Sequence, residues 1–578
     1  MGRKKAEDMT EEEKAKAKYR ADSPRHVVTF ETDMDEDMKR HAFAYAERLR
    51  ILWNDAVYEL RKRIGQMMRT KRYRSLQKDY AWHSEHMKGL AEESEAYKKL
   101  EKERDSTAKE MSAMQKDYGV TQEDVRQLTQ MRASKYGVGT IFGQSRGEAI
   151  WQACKAVVLG NGRNLHFKKK GDLPIIKAKE AERGIVIKLD KKGDLLFSME
   201  GIGKFGVKMP EKDLFLQDEY ASLIAYLSEP GQEDERVKFM METGQFIPCF
   251  RPCYASLKCE TIRGKLRVYV QVTVADKACP KKDRHGNPRH DFSKTGRVGC
   301  DNGTQSYAAV ADQQVILDNL AERDHKSTKA SEKRIRRRQR KMDASKRKTN
   351  PERFNKDGTY KKGTRGKWKK SKKYRRIAYL NREQMRKDAL TRKYAVQTDA
   401  NRLRSLGDEL IIEPSNARAL QKKAKQTKEK SSKTIEVKQK DGTTKTVHKN
   451  KRRKRFGRSI HHRCPGAFQA ELGKKFGDGY HEVSGRTFKA SQYDHVLGDC
   501  IKKKLSQRWH ELPDGKKVQR DVYAAFLMYC SNDSFTSPDQ ELCVRKFDEF
   551  FERHQRLVQV SGSRWRNTSS GTKPCSQG

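Results

Sequence analysis

The rest of the chain is interpreted around the stretch Arg297–Asp312, which reads R-V-G-C-D-N-G-T-Q-S-Y-A-A-V-A-D. An apolar run meets the residues Asp301-Asn302-Gly303, and a second apolar run follows from Tyr307 to Ala311. This pattern predicts a strand, a tight turn and an antiparallel strand, with Asp301 where the first strand ends. An Asp in such a turn usually only shapes the turn. It can hold a divalent metal if two more carboxylates converge on it from elsewhere in the chain.

A second carboxylate follows another predicted strand. Residues 407–416 read G-D-E-L-I-I-E-P-S-N, so an apolar run leads directly into Glu413, and Pro414 and Asn416 end the strand. On its own, Glu413 is only a glutamate at the end of a strand.

A third carboxylate begins a predicted helix. Residues 519–527 read Q-R-D-V-Y-A-A-F-L, and Asp521 precedes an apolar helical face. Acidic residues are common at helix N-termini, where they cap backbone N–H groups, so Asp521 alone would be unremarkable.

The composition indicates a polyanionic partner. The 578 residues include 127 Lys plus Arg against 78 Asp plus Glu, a formal net charge of +49. Nucleic acid fits this excess better than a membrane surface does. No apolar run approaches the roughly 18 residues of a membrane span, and the first residues lack the apolar core of a signal peptide. We therefore expect a cytoplasmic protein with no membrane partner.

The positive charge is densest between the first two carboxylates. Residues 331–380 carry 22 Lys plus Arg and four acidic residues, in two helical halves separated by a break from Thr349 to Gly366. Positive side chains this dense would repel each other unless phosphates lay between them, which favours contact with a nucleic-acid backbone. Contacts to phosphates neutralise the backbone and do not read the base sequence. The candidate nucleic-acid-binding residues are Arg334, Arg336, Arg337, Arg338, Arg340, Lys341, Lys369, Lys370, Arg375 and Arg376.

The N-terminal half changes pattern along its length. Residues 1–24 are charged and sparsely apolar, which predicts disorder, and His26–Glu31 alternates like a strand. Helical periodicity follows from Met34, and short alternating segments after residue 160 predict a small β-barrel or sandwich. We expect the first strand to pair into this sheet. Later in the chain, residues 421–455 are a Lys-rich insertion with a hairpin signal at Asp441-Gly442, expected to be mobile until nucleic acid binds.

Together the three carboxylate motifs form a set. G-C-D-N-G-T, I-I-E-P-S-N and Q-R-D-V-Y-A-A-F occur in that order, with their carboxylates 112 and 108 residues apart and an Arg-rich helix between the first two. The set resembles the split RuvC nuclease domain of TnpB proteins and the related type V CRISPR effectors. The resemblance is strongest over residues 297–530.

The resemblance implies an α/β multidomain fold, with a split RNase H-like (RuvC) nuclease domain, a helical recognition lobe and a small β-barrel wedge domain. The implied division is a disordered N-terminus (1–24), first wedge strand (25–33), recognition lobe (34–160), wedge barrel (161–290), RuvC part I (291–327), Arg/Lys-rich bridging helices (328–400), RuvC part II (401–420), mobile insertion (421–456), RuvC helix and strand (457–490), degenerate zinc-ribbon-like loading segment (491–518), RuvC part III (519–535), and C-terminal helix with disordered tail (536–578).

The resemblance also implies that the protein is an enzyme. Asp301, Glu413 and Asp521 would be the catalytic residues and the ligands of two Mg²⁺ or Mn²⁺ ions that hydrolyse a phosphodiester. A guide RNA would select the target DNA by base pairing, while the protein reads a short flanking duplex motif. The protein would act as a monomer or an RNA-bridged dimer.

One departure from the family concerns zinc. A four-cysteine zinc ribbon is common before the last motif, but here only Cys500 remains in that interval. His495, Cys500 and His510 could offer three ligands, yet we interpret these residues as exposed polar groups and expect no structural zinc.

Three alternatives stay open. A DDE-type transposase shares the fold class and the metal chemistry, although the Arg-rich helix favours a guided nuclease. A non-cutting RNA-guided DNA binder would keep the basic channel, but the intact acidic set argues against it. In a generic RNA-binding protein, the three motifs would be coincidence.

Overall fold

A computed structural model gives a mixed α/β protein with several small sheets. It describes residues 9–87, 90, 93–178, 183–229, 231–321, 325–355, 358–361, 366–417, 419, 426–438, 444–452, 457–501 and 507–561. The chain divides into two compact units, Met1–Arg289 and His290–Gly578. None of the helices in the described ranges combines the length and apolar character that a membrane span needs.

The helices of the first unit include one very long amphipathic helix. The helices are α1 (Glu11–Asp22), α2 (Glu36–Met67), α3 (Lys71–His86), α4 (Glu95–Asp117), α5 (Gln122–Ala133), α6 (Thr140–Val158), α7 (Leu214–Ser228) and α8 (Gln232–Thr243). Asp35 caps α2 by accepting a hydrogen bond from the Met38 amide at 2.7 Å. The side chains of Leu49, Leu52 and Leu60 are fully buried, as their three- and four-residue spacing predicts.

The first unit also contains two sheets. A five-stranded sheet has the order β2-β7-β8-β1-β6, and a three-stranded sheet has the order β3-β4-β5. The strands are β1 (Arg25–Thr32), β2 (Ile175–Lys177), β3 (Ile185–Leu189), β4 (Leu195–Met199), β5 (Gly203–Phe205), β6 (Val207–Lys208), β7 (Arg251–Ile262) and β8 (Lys265–Ala275). The prediction that the first strand pairs into this sheet is confirmed, since β1 lies antiparallel to β8. The predicted barrel closure stays a prediction.

The predicted disorder of residues 1–24 is wrong over Glu11–Asp22. Helix α1 begins with a capping box in which Thr10 and Glu13 each accept the other's amide N–H. Tyr19 is buried in a small apolar cluster with Val237, and Arg20 pairs with Glu233 at 2.7 Å. The helix is therefore held by distant partners that its own composition does not reveal. Residues 1–8 lie outside the described residues.

The second unit is built on a five-stranded sheet of order β11-β10-β9-β12-β15. Strands β10 and β11 run antiparallel to each other and β10 is antiparallel to β9, whereas β12 is parallel to both β9 and β15. The strands are β9 (Arg297–Asn302), β10 (Ser306–Ala311), β11 (Gln314–Asn319), β12 (Glu409–Glu413) and β15 (Tyr480–Glu482). The strand, turn and antiparallel strand predicted from residues 297–312 are confirmed.

Helices cover both faces of this sheet. The helices are α9 (His325–Thr349), α10 (Lys372–Arg404), α11 (Gly457–Arg463), α12 (Pro465–Phe476), α13 (Arg520–Tyr529) and α14 (Gln540–Ser561). Side chains of α10 and α12 share a core with Cys300 and Ile412 on one face. Side chains of α13 and α14 share a core with Ala308 and Ile411 on the other face. The sheet is the middle layer of three.

Short antiparallel pairs complete the second unit. They are β13 (Gln426–Lys438) with β14 (Thr444–Arg452), β16 (Tyr493–Asp494) with β17 (Asp499–Cys500), and β18 (Trp509–Glu511) with β19 (Lys517–Gln519). The strands flanking the predicted Asp441-Gly442 turn are therefore present, while the turn itself lies outside the described residues. The C-terminal helix is also present, and the predicted disordered tail after it is not described.

Candidate active site

The register of the central strands brings two of the predicted carboxylates together. In the parallel pair of β9 and β12, Asp301 and Glu413 are direct partners. Successive side chains of a strand point to opposite faces. Because Cys300 and Ile412 face the core beneath α10 and α12, Asp301 and Glu413 face the side that carries α13.

Helix α13 brings the third carboxylate to the same face. It begins at Arg520, and the Gln519 side chain caps it by accepting a hydrogen bond from the Val522 amide at 2.7 Å. Asp521 therefore lies in the first turn, as the sequence predicts. A methyl group at Gly299 of β9 would overlap the Ala525 carbonyl oxygen, so only glycine lets the helix lie directly on the strand.

The three carboxylates line one cavity of about 420 Å³. Its other lining residues are Asn302, Gly303, Thr304, Gln305, Ser306, Pro414, Ser415, Ser491, Arg508, Arg520 and Ala524. Burial raises the pKa of the Asp301 carboxyl well above its ordinary value, and the charges of Asp521 and Glu413 raise it further. Burial also raises the pKa of Glu413. The cavity therefore concentrates negative charge that a bound cation would relieve.

The donor set suits a hard divalent cation, although the side chains do not close around one. Carboxylate oxygens are the ligands that Mg²⁺ and Mn²⁺ prefer. In the described part of the chain, no group of three or more His, Cys, Asp or Glu side chains is close enough together as it stands to hold a metal ion. The sharing of a metal ion by Asp301, Glu413 and Asp521 therefore stays a prediction.

Two arginines line the same cavity, and the sequence analysis assigned no role to either. The Arg520 guanidinium contacts the Asp521 carboxylate at 3.2 Å, and its charge opposes the rise in the pKa of Asp301. The Arg520 amide also donates to the Arg508 carbonyl at 2.9 Å, which ties the segment before β18 to the start of α13. In the sequence, the position of Arg520 directly before Asp521 is the signal that could have identified it as a site residue.

Gly485 lies against the Glu413 carboxylate. A methyl group at Gly485 would lie 2.8 Å from Glu413 Cδ, and nearer still to the carboxylate oxygen Oε1. Nothing in the local sequence signals this contact, because the two residues come from different segments of the chain.

We expect Gly485→Ala to displace the Glu413 carboxylate while leaving the fold intact, because the overlapping atoms belong to the end of a flexible side chain. The metal-dependent DNA cleavage that the resemblance implies should fall roughly ten- to a hundredfold, as misplacement by about 1 Å can do. Single-turnover cleavage and thermal unfolding measure the two effects. Gly473→Ala is the control, since a methyl group there meets nothing within 4 Å. Equal cleavage by both variants would contradict the prediction.

The interpretation of His495 and His510 as exposed polar residues is wrong. Both are buried, at 2% and 1% exposed. His510 Nε2 lies 3.0 Å from the fully buried Asp494 carboxylate, and His495 Nδ1 lies 2.7 Å from the Tyr523 hydroxyl. The polar partners that pair these histidines allow them to be buried, and the sequence does not show those partners.

A third buried histidine supports the start of α13. His554 of α14 accepts a hydrogen bond at Nε2 from the Gln519 amide at 3.1 Å. Gln519 is the residue whose side chain caps α13. Burial lowers the pKa of His554 from 6.5 to about 4.

Stability should therefore fall between pH 6.5 and pH 4. In that window the unfolded chain binds a proton at His554 that the folded chain excludes, since protonation would remove the Nε2 acceptor. The contribution of this one group is about 3 kcal/mol. His554→Gln should be less stable at pH 7 and lose less stability across the window, which urea unfolding at several pH values measures. The prediction would be contradicted if the free energy of unfolding changed equally with pH in the unmodified protein and in His554→Gln.

The predicted nucleic-acid-binding residues lie on and before two packed helices. Arg338 is half-buried because its Nη1 donates to the Leu380 carbonyl at 3.0 Å, which joins α9 to α10. Arg336 forms an ion pair with Glu332 at 3.2 Å. Arg336 and all the other predicted residues except Arg338 are exposed, namely Arg334, Arg337, Arg340, Lys341, Lys369, Lys370, Arg375 and Arg376. Their role in binding stays a prediction.

Comparison with known proteins gives only distant similarities. No family model matches the chain, and no curated protein matches it. The fold is similar to the crystal structure of the Cas12i1 R-loop complex after target DNA cleavage, with 7% identity and a TM-score of 0.23 over 95% of this chain and 65% of that one. It is also similar to the cryo-EM structure of a Cas12i–crRNA–dsDNA complex in the I1 state, with 9% identity and a TM-score of 0.24 over 86% and 67% of the two chains. The chain thus spans about two thirds of each. A similarity this weak carries no conclusion about activity.

Proposed function

We propose that this chain is an RNA-guided DNA endonuclease that hydrolyses phosphodiesters at a single RuvC-type site. The observation that carries the proposal is that Asp301, Glu413 and Asp521, from three separate segments, line one cavity. Two of them are register partners on adjacent strands, and the third lies in the first turn of the helix packed on those strands.

The strand order supports an RNase H-like domain. In sequence order the five strands of the sheet are arranged 3-2-1-4-5, and only the second runs against the others. We propose an RNase H-like domain on this basis, because the first and fourth strands are neighbours, so carboxylates at their ends can share a divalent ion. The second unit places Asp301 on the first of these strands and Glu413 on the fourth.

In this proposal the carboxylates hold two divalent ions. When bound, Mg²⁺ or Mn²⁺ would activate water and stabilise the charge of the leaving 3′ oxygen. The chain itself would bind the scissile phosphate through the Arg508 and Arg520 guanidinium groups, which line the cavity. Gln519 would hold Asp521 in place by capping its helix, and Gly485 would leave room for the Glu413 carboxylate.

The basic hairpin of α9 and α10 would bind the nucleic-acid backbone. Its exposed arginines and lysines suit phosphate neutralisation without sequence readout. We propose a guide RNA and target DNA as the partners, with base pairing supplying specificity and the protein reading a short flanking duplex.

The experiment that tests the proposal is sequencing of the RNA that co-purifies with the protein expressed from its native flanking DNA. We expect one abundant species with a constant scaffold and a variable segment. The purified complex should then cut DNA matching that segment in the presence of Mg²⁺, and EDTA should stop the reaction. A heterogeneous sample of cellular RNA would overturn the guided mechanism and leave a nuclease or transposase to be tested on DNA ends.

A further inference from the structure

The end of the α9–α10 hairpin carries an aromatic and cationic cluster, the tip cluster, which the nuclease site does not use. Its rings are Phe354, Tyr360 and Trp368, and its cations are Lys346 and Arg353. The centroid of the Trp368 ring lies 5.8 Å from that of Phe354 and 5.5 Å from that of Tyr360. Lys346 Nζ lies 3.7 Å and the Arg353 guanidinium 4.8 Å from the Trp368 centroid.

A buried asparagine fixes the base of the tip cluster. Asn350, directly after α9, has no exposed surface. Its Nδ2 donates to the Lys346 carbonyl at 2.9 Å and to the Lys369 carbonyl at 3.0 Å, and its Oδ1 accepts from the Lys369 amide at 2.9 Å. Arg353 adds a bond from Nη1 to the Gly366 carbonyl at 3.0 Å. Side-chain-to-backbone hydrogen bonds thus join the two arms of the hairpin next to the rings.

A small loop presents Tyr360 at the surface. Phe354 and Tyr360 form an antiparallel bridge, and the Asn355 amide donates to the Thr359 carbonyl at 2.8 Å. Gly358, two residues before Tyr360, has φ +77°, a conformation that favours glycine.

The rings of the tip cluster differ in exposure. Trp368 is half-buried and its ring is engaged by the two cations, so it supports the cluster. Tyr360 is 46% exposed, in the segment where Lys and Arg outnumber acidic residues 22 to four. A ring that only filled a local core would be covered.

We propose that the tip cluster binds an unpaired nucleic-acid strand by stacking Tyr360 on a base. Aromatic rings beside backbone-binding cations are the arrangement that binds single strands without sequence preference. Inside a duplex the bases already stack on each other, so the tyrosine ring finds an open base face only at the two ends. The positive charge around the ring selects a polyanion over an apolar protein surface. This inference stands whether or not the carboxylates cut DNA.

The test compares variants of the full-length protein in EDTA, with fluorescence anisotropy as the readout. The probes are a labelled oligothymidylate, a labelled oligouridylate and a blunt, fully paired DNA duplex. Tyr360→Phe and Tyr360→Trp keep an aromatic ring, whereas Tyr360→Leu keeps apolar bulk without one. Tyr394→Leu is the matched control, because Tyr394 is a 57% exposed tyrosine on α10 outside the tip cluster.

We expect Tyr360→Leu to bind single strands about tenfold more weakly, with the aromatic variants close to the unmodified protein and duplex binding unchanged. The salt dependence should keep its slope, since no phosphate contact is removed. A preference for thymidylate or uridylate identifies the strand as DNA or RNA. The proposal is overturned if Tyr360→Leu binds normally, if duplex binding falls equally, or if Tyr394→Leu causes the same loss.

A measurement on the unmodified protein makes the test independent of variant folding. Photocrosslinking to a bromodeoxyuridine-substituted single strand, followed by peptide mapping, should identify the peptide that contains Tyr360. Crosslinks confined to other peptides would overturn the proposal.

Discussion

Asp301→Asn should reduce DNA cleavage by roughly three orders of magnitude or more while leaving nucleic-acid binding unchanged. The amide keeps the shape of the side chain but removes the charge that would hold a divalent ion. In EDTA at neutral pH the same variant should be more stable than the unmodified protein, because burial and the charges of Asp521 and Glu413 raise the pKa of Asp301 and so oppose its ionised form. Single-turnover cleavage, anisotropy and urea unfolding measure the three quantities.

The stability gain separates a functional carboxylate from a structural one. An aspartate that only shaped its turn would lose stability on substitution, with or without metal. Asp478→Asn is the control, since Asp478 is an exposed acidic residue outside the cavity. Loss of binding together with cleavage, or cleavage at the normal rate, would refute the assignment of Asp301.

Gly299→Ala should destabilise the second unit by about 3 kcal/mol. The added methyl group would overlap the Ala525 carbonyl oxygen and lie 2.9 Å from Tyr529 Cα, and backbone atoms cannot rotate away as a side chain can. Helix α13 would have to shift off β9, taking Asp521 with it. We therefore expect the cleavage rate of the remaining folded protein to fall as well. Urea unfolding and single-turnover cleavage measure these effects.

Gly473→Ala is a control for which we expect the opposite change in the free energy of unfolding. A methyl group there meets nothing within 4 Å, and Gly473 lies inside helix α12. Alanine in a helix interior is favoured over glycine by about 1 kcal/mol, so this variant should gain stability. A similar change in the two variants would show that close packing of α13 on β9 does not explain the effect at Gly299.

The sequence predicts the parts of the site that depend on local pattern. Apolar runs that end at Asp301 and Glu413 identify the two strand ends, and the acidic residue before an apolar helical face identifies the start of α13. The order of the three motifs supplied the hypothesis that they belong together. Local periodicity is sufficient for these features because each one lies within a few residues of its signal.

The features that the sequence does not reveal depend on distant partners. In the sequence, Gly299 and Gly485 look like ordinary turn glycines. What distinguishes them is close contact with atoms from distant segments, the backbone of α13 for Gly299 and the Glu413 carboxylate for Gly485. His495 and His510 have the sequence context of a polar loop, and their burial follows from contacts with Tyr523 and Asp494. Helix α1 likewise depends on residues more than 200 positions away, such as Glu233. Such contacts require knowledge of the three-dimensional arrangement.

The order in which the cavity is assembled has a consequence for synthesis of the protein. Asp301 and Glu413 are adjacent in the sheet although β12 emerges from the ribosome long after β9, and Asp521 follows later still. Folding proceeds from the N-terminus during translation, so the carboxylate set cannot be complete until α13 has been made. Under the proposed function, the cations of α9 and α10 would be synthesised before the carboxylate set is complete. Under that function, translation itself would separate nucleic-acid binding from cleavage in time.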